Sequence, residues 1–367
     1  MLGHKRIPSR EGGIEIVVDE LSTRMVAFGH RVTCFNRKGK HVSGAKIQRL
    51  NNYKGVEIKE VFTIDRKGLA AMSSSFFACL YAGFGKYDVV HIHAEGPAFF
   101  AFIPKLLGKR VIVTVHGLDW KRAKWGKFAS WYIRTGEKHA VMFADEIIVL
   151  SQDVKDYFLK NYGRDTKFIP NGVNKPIVRT SQEIKRFGLD KNNYILFLGR
   201  IVPEKGEHYL INAFKCIKTD KRLVIAGGSS DTDEYINKLK ELVKDDNRIV
   251  FTGFVQGRVL EELYSNAYIY CLPSDLEGMP LSLLEAMSYG NCCVTSDIAE
   301  CAEVVEDKAV LFKKSDVKDL KNKLKWLIDN KEIVDNYKIQ SSDFICNKYN
   351  WNDVVEKTVD LYKRQGI

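Results

Sequence analysis

The chain has 367 residues, 45% of them hydrophobic and 28% charged, which suits two domains that each bury a core and excludes a disordered chain. With 57 Lys and Arg against 46 Asp and Glu, the formal charge is +11, which favours an anionic partner: nucleic acid, an acidic membrane surface or a phosphorylated small molecule. The eight cysteines form no Cys-x-x-Cys pair or other metal-type spacing, and most sit in apolar stretches, so they read as small buried hydrophobes of a reducing compartment.

The first ten residues, MLGHKRIPSR, are polar and basic and do not resemble a signal peptide. Only Met1 and Leu2 precede the loop at Gly3, so the first strand of a βα unit is expected to be very short or to begin upstream. Helical spacing follows in EIVVDELSTRMVAFG, then a β-branched strand pattern in RVTCFNR. The uncharged run from Gly68 to Gly85 reads as a buried amphipathic or core helix, too short and polar for a membrane span. Strand patterns DVVHIHA, RVIVTVHG and EIIVLS then alternate with the helical patterns AFFAFIPKLLG and KFASWYIRTGEKHAVMFA. The turn-rich KFIPNGVNKP interrupts the series. A second series begins at Tyr194, with strands YILFLGR, RLVIAGG, RIVFTGF, AYIYCLPS and CCVTSD separated by helices, and WNDVVEKTVDLYKR reads as a terminal helix. Buried parallel strands alternating with helices predict an α/β fold of two doubly wound, Rossmann-like domains facing across a cleft. The expected boundaries are 1–170, 171–350 and a terminal helix at 351–367 that crosses back to the first domain.

Four constellations carry chemistry. In SDLEGMPLSLLEAM, Glu277 stands just before a helix that Pro280 starts, and Glu285 lies about two turns along. The amides of Gly278 to Ser282 at that helix end suit a phosphate, and the carboxylates suit hydroxyls. In FLGRIVPEKGEHYL, Arg200 and Lys205 follow a strand, placed to grip a diphosphate; a solvated charged loop is the plainer alternative. In GHKRIPSREGGIE, Gly12 and Gly13 at a helix start allow close approach to phosphate or form an ordinary βα turn, and no GxGxxG fingerprint is present. His116 ends the strand TVHG, where it serves either a sugar hydroxyl or the fold. His91 and His93 share a strand face but lack the further ligands of a zinc site, so no metal is expected.

Between Lys105 and Lys138, nine Lys or Arg stand against two acids, with Trp120, Trp125, Phe128 and Trp131 among them. This pattern fits an anionic membrane surface, or a solvated helix face over core aromatics. The protein is expected to be cytoplasmic, soluble or peripheral at the inner face of the plasma membrane.

GGIE in the first loop, VHG, IPNGV at 169–173, GRIVPEKG and EGMPLSLLEAMSYG together resemble the family 4 glycosyltransferases of GT-B architecture, over nearly the whole chain. The opening GHKRIPSREGGIE also resembles a bacterial branch containing rhamnosyltransferases of capsule and cell-wall polysaccharide assembly. The resemblance implies a hexosyltransferase that is retaining and metal-independent, with a nucleotide diphosphate sugar as co-substrate and no other cofactor. Arg200 and Lys205 match the diphosphate-binding positions, and Glu285 the ribose-binding carboxylate. Glu277 and His116 match donor-sugar contacts, accompanied by the amides of Gly278, Met279 and Leu281. Gly13 matches the first-loop glycine beside the diphosphate, with Gly12 before it, and Phe254 and Val255 fall where the nucleobase is covered. The acceptor would be a glycan or lipid-linked saccharide. Rivals are a nucleotide-sugar epimerase on the same fold, a sugar phosphorylase, for which no pyridoxal-phosphate motif is seen, and a nucleic-acid-binding protein, for which no recognisable module is present.

Overall fold

A computed structural model of the chain describes residues 1–39, 49–66, 68–121, 125–228 and 233–363. They form two compact units, Met1–Asn171 with Trp351–Ile367, and Gly172–Asn350. Both are α/β.

The first unit runs α1 (Gly13–Ala27), β1 (Thr33–Arg37), β2 (Asn52–Tyr53), β3 (Val56–Val61), α2 (Leu69–Phe84), β4 (Val89–His93), α3 (Glu95–Ala98), α4 (Phe102–Leu106), β5 (Arg110–Val115), α5 (Lys127–Phe143), β6 (Glu146–Val149), α6 (Gln152–Tyr162) and β7 (Lys167–Phe168). Strands β4-β5-β6-β7 form one parallel sheet, and β1-β3-β2 another group in which β2 pairs antiparallel with β3. Met1 and Leu2 join them. Leu2 makes a parallel bridge to Ile92, and Phe35 N donates to Met1 O at 3.0 Å. Met1 and Leu2 thus lie where the first strand is expected. Val90, Ile92, Val111, Val113, Ile147 and Val149 are buried in the central strands. Each such side chain contributes roughly 1.5–3 kcal/mol on leaving water.

One expectation for this unit is corrected. The segment AFFAFIPKLLG is not one helix: α3 and α4 are separate short helices. Pro104 has no N–H to continue a preceding helix and is tolerated only in the first turn of the next. Helix α2 is amphipathic, with Ala78, Cys79 and Ala82 buried and Tyr81 and Phe84 exposed. The antiparallel β2–β3 pair lies in NNYKGVEIKEV, whose charged alternation resembles a solvated segment.

The second unit contains β8 (Tyr194–Leu198), α7 (Glu207–Lys215), β9 (Arg222–Ala226), α8 (Asp233–Val243), β10 (Ile249–Gly253), α9 (Gly257–Asn266), β11 (Ile269–Leu272), α10 (Leu281–Ser288), β12 (Cys292–Ser296), α11 (Ala299–Val305), β13 (Val310–Phe312), α12 (Val317–Asp329) and α13 (Lys331–Lys348). Its six strands are all parallel, in the order β10-β9-β8-β11-β12-β13. This is the doubly wound order whose direction reverses between β8 and β11. Ligands of such sheets bind outside the carboxyl ends of the strands at that reversal. The sequence DTDE at 231–234 reads as a capping feature at a helix start; of it, Asp231 and Thr232 lie outside the described residues.

The last helix, α14 (Trp351–Tyr362), returns to the first unit and packs on α1. Its end is tied down where Arg110 Nε donates to Leu361 O at 2.9 Å and the Tyr362 hydroxyl meets His91 Nδ1 at 2.6 Å.

Candidate active site

The reversal point of the second sheet is where its polar side chains converge. Strand β8 ends at Leu198, and Gly199 and Arg200 continue from its carboxyl end. Residues Pro203–Lys205 form a 3-10 turn closed by Gly206 at φ +73°, and α7 begins directly after. A Cβ at Gly206 would stand 2.1 Å from Pro273 O, so only glycine lets this turn lie against the segment leaving β11. Asp275 N donates to Glu204 O at 2.9 Å, which ties the two strand-end loops together.

That close approach sets Lys205 against Glu277. The Nζ of Lys205 donates to Glu277 Oε1 at 2.6 Å, and Ser274 Oγ donates to the same oxygen at 2.6 Å. Both side chains of the ion pair are largely buried, at 13% and 8% exposure, so bulk water screens the pair little. Oε2 of Glu277 takes no hydrogen bond from the described residues and is left to accept from a ligand. Helix α10 opens one turn later, with Pro280 as N-cap rather than first helical residue, as the extended ψ of 92° shows. Its first amides, Leu281 and Ser282, precede the first i→i−4 bond, from Leu284 N to Pro280 O. Gly278 and Met279 are buried just before them.

Glu285 sits on α10, half-buried, and accepts a hydrogen bond from the Tyr264 hydroxyl at 3.2 Å. The same phenol lies 3.3 Å from Ser282 O, and its ring stacks on Tyr289. Arg200 is half-buried at the end of β8. Phe254 and Val255 are half-buried in the loop between β10 and α9, at the carboxyl end of that strand. The arrangement combines two cations, helix amides and two carboxylates at the carboxyl ends of parallel strands. It can hold an anion flanked by hydroxyl-bearing groups.

The first unit carries the other assigned residues. Gly12 is the N-cap of α1 and Gly13 its first residue, beside a loop held by Glu15, whose Oε1 accepts from Lys5 N at 2.8 Å. His116 follows β5, and its Nε2 shares a 3.1 Å hydrogen bond with His93 Nδ1. The rings of His91 and His93 stack at 4.2 Å on one strand face. Burial, reinforced by neighbouring positive groups, holds both well below the usual imidazole range. Among the described residues, no group of three His, Cys, Asp or Glu is placed to hold a metal ion.

The basic aromatic segment divides. Phe128 and Trp131 are exposed on α5. Trp120 instead turns inward onto the core and donates its indole N–H to Glu137 Oε2 at 3.0 Å. Lys105 is paired with Asp145, and Lys109 with the Gly85 carbonyl. Arg122 and Lys124 lie outside the described residues. Of the cysteines, Cys216 is exposed, while six are buried and Cys346 lies between.

The sequence does not single out Ser274, Tyr264, Glu15 or the Glu95–Glu137 pair, nor the contact of His93 with His116. Ser274 sits three residues before Glu277, a local signal. Tyr264 reaches Glu285 from another helix, with no spacing to betray it.

Two family models match adjoining stretches: Glycosyltransferase Family 4 over residues 11–175 and Glycosyl transferases group 1 over residues 180–344. An uncharacterised glycosyltransferase of Methanocaldococcus jannaschii is 26% identical over 97% of this chain and 95% of its own length. An Escherichia coli UDP-Gal:alpha-D-GlcNAc-diphosphoundecaprenol alpha-1,3-galactosyltransferase is 28% identical over 76% of this chain and 75% of its own. Among solved structures, a sucrose-phosphate synthase from Thermosynechococcus elongatus superposes with a TM-score of 0.81 at 21% identity, covering 96% and 93% of the two chains. Anabaena Alr3699/HepE in complex with UDP-glucose superposes with a TM-score of 0.80 at 17% identity, covering 95% of each. The chain belongs to the family 4 glycosyltransferases of GT-B architecture.

Proposed function

We infer that the protein transfers a hexosyl or deoxyhexosyl group, with a rhamnosyl group as the first to test, from a nucleotide diphosphate sugar. The acceptor is a glycan or lipid-linked saccharide of bacterial surface polysaccharide, and the anomeric configuration is retained. The observation that carries this reading is the Lys205–Glu277–Ser274 cluster beside the N-terminus of α10, at the strand reversal of the second unit. The E. coli relative acts on a diphosphoundecaprenol-linked acceptor, and a Klebsiella pneumoniae relative, 25% identical over 96% of this chain, is named for a cps region; both agree with such a role.

Bond breaking at C1 makes the sugar oxocarbenium-like and loads negative charge on the departing diphosphate. Arg200, Lys205 and the amides of Leu281 and Ser282 stabilise that charge without a metal. In the second unit Glu277 serves the sugar and Glu285 the ribose hydroxyls; in the first, the resemblance gives His116 a sugar-contacting role and the Gly12–Gly13 turn a diphosphate-contacting one. Phe254 and Val255 cover the base. The leaving phosphate takes the acceptor proton while the acceptor attacks from the same face.

A panel of nucleotide sugars is screened for thermal stabilisation, since a bound donor raises stability by mass action. Any hit is then incubated with and without acceptor. Transfer with retention supports the reading. Epimerisation or hydrolysis of the donor alone, with no transfer, overturns it.

Phe128 and Trp131, exposed beside Lys127 and Arg134, support peripheral attachment to an anionic membrane surface. No described helix is long and apolar enough to cross a membrane. Co-sedimentation with anionic vesicles that weakens in salt and on Trp131→Ser supports attachment, and absence of binding at low salt rules it out.

A further inference from the structure

Glu95 and Glu137 form a buried carboxyl pair that the proposed reaction does not use. Both are fully buried. Gly136 brings them together: a Cβ there would lie 2.0 Å from Glu95 O, so α5 sits on α3 backbone to backbone at the residue before Glu137. Glu137 accepts from three donors, two on Oε1 and one on Oε2. Its Oε1 accepts from the Tyr157 hydroxyl at 2.9 Å and from the Tyr162 hydroxyl, and its Oε2 from the Trp120 indole at 3.0 Å. Glu95 Oε2 accepts from Asp119 N at 2.8 Å, but its buried Oε1 meets no donor. Asp119 and Trp120 are consecutive and each donates to one of the two acids, so the carboxyls are held side by side.

Two ionised carboxylates in contact in a buried site repel strongly. The charged groups around them do not relieve this. Asp119 adds a further negative charge. Lys121 lies over the Trp120 and Tyr157 rings, and Arg134 over the Trp120 ring, with neither ion-paired to the two acids among the described residues. Burial first, then Asp119 and Glu137, push the Glu95 carboxyl well above the usual carboxylate range. A proton on Glu95 Oε1 turns the one unmatched oxygen into a donor.

We propose that Glu95 and Glu137 share a single proton, Glu95 Oε1–H donating to the Glu137 carboxylate, and that this pair acts as a positioning device for the turn that carries His116. The pair holds that turn at two points, the Asp119 amide and the Trp120 indole, three and four residues after His116. Loss of the proton to solvent base leaves adjacent anions, which part and release the turn. This inference rests on the role proposed for His116, but the proton itself is tested without it.

The test compares the full-length wild type with Glu95→Gln and Glu137→Gln. The number of protons released on unfolding is read from stability as a function of pH, and turnover is followed against pH with whichever nucleotide sugar binds. Glu95→Gln, which mimics the neutral acid, is expected to release one proton fewer than wild type at neutral to alkaline pH and to lose the alkaline fall in kcat/KM. Glu137→Gln, which removes the charge that three donors face, is expected to melt at a lower temperature than Glu95→Gln. An unchanged proton count in Glu95→Gln overturns the shared proton, and an unchanged alkaline limb overturns the link to catalysis. If Glu95→Gln does not fold, an infrared carboxylic-acid band in the wild type, above the pH at which Glu207 titrates, decides the matter: its presence supports the pair and its absence refutes it. A wild type that turns over no nucleotide sugar removes the glycosyltransferase reading while the proton count still judges the pair.

Discussion

Lys205 Nζ and Glu277 Oε1 meet at 2.6 Å across 72 residues of sequence, each at the end of a strand flanking the point where the sheet order reverses. The contact holds a cation and an acid in a largely buried place. A donor that brings its own negative diphosphate would share the ammonium with Glu277. Lys205→Ala and Arg200→Ala are each expected to lower turnover by ~10²–10³-fold, the scale for one lost charge-stabilising donor. Steady-state rates at saturating donor check this; wild-type rates in both variants would exclude the assignment.

The Tyr264 hydroxyl fixes one oxygen of Glu285. A single hydrogen bond contributes about 0.5–1.5 kcal/mol net, so Tyr264→Phe is expected to weaken nucleoside diphosphate binding by roughly 2–13-fold. Glu285→Gln is expected to weaken it more, and Tyr264→Phe added to Glu285→Gln to cost little further, because the phenol acts through the carboxylate. Calorimetric titration of the three variants checks both points.

Glu207, buried at the start of α7, accepts from the Tyr235 hydroxyl at 3.1 Å. Burial pushes its carboxyl up to about 8. Between the ordinary carboxylate range and that value, the folded chain keeps a proton that the unfolded chain has released. Stability therefore falls as pH rises through this window, by about 1.4 kcal/mol per pH unit, and levels off above it. Glu207→Gln is expected to flatten the decline, which denaturant unfolding at a series of pH values would show.

Gly206 combines a left-handed φ with contact to a neighbouring carbonyl. Gly206→Ala is expected to destabilise the second unit by at least about 1–3 kcal/mol from backbone strain alone. It should also pull the Pro203–Lys205 turn from Glu277, so the melting temperature and donor affinity should fall together.

Most of the fold was legible in the sequence because parallel strands buried on both faces must be continuous apolar runs. DVVHIHA, RVIVTVHG and YILFLGR could not serve elsewhere. What escaped were short or charged elements: β2 and β3, the three-residue β13, and α13, whose polar sequence carries little apolar periodicity. Lys205 and Glu277 could be singled out because each follows a strand and precedes a helix. Tyr264, His93 and Glu137 could not, since their contacts to Glu285, His116 and Trp120 depend on how separate helices and strands are stacked, which local patterns do not encode.

The central claim is that the second unit grips a nucleoside diphosphate at its strand reversal. The most direct measurement is a crystal structure grown with UDP, dTDP or GDP. The predicted result places diphosphate oxygens within hydrogen-bonding distance of Arg200, Lys205 and the Leu281 amide, with the ribose on Glu285. A nucleotide bound in an ordered pose away from all four would contradict it.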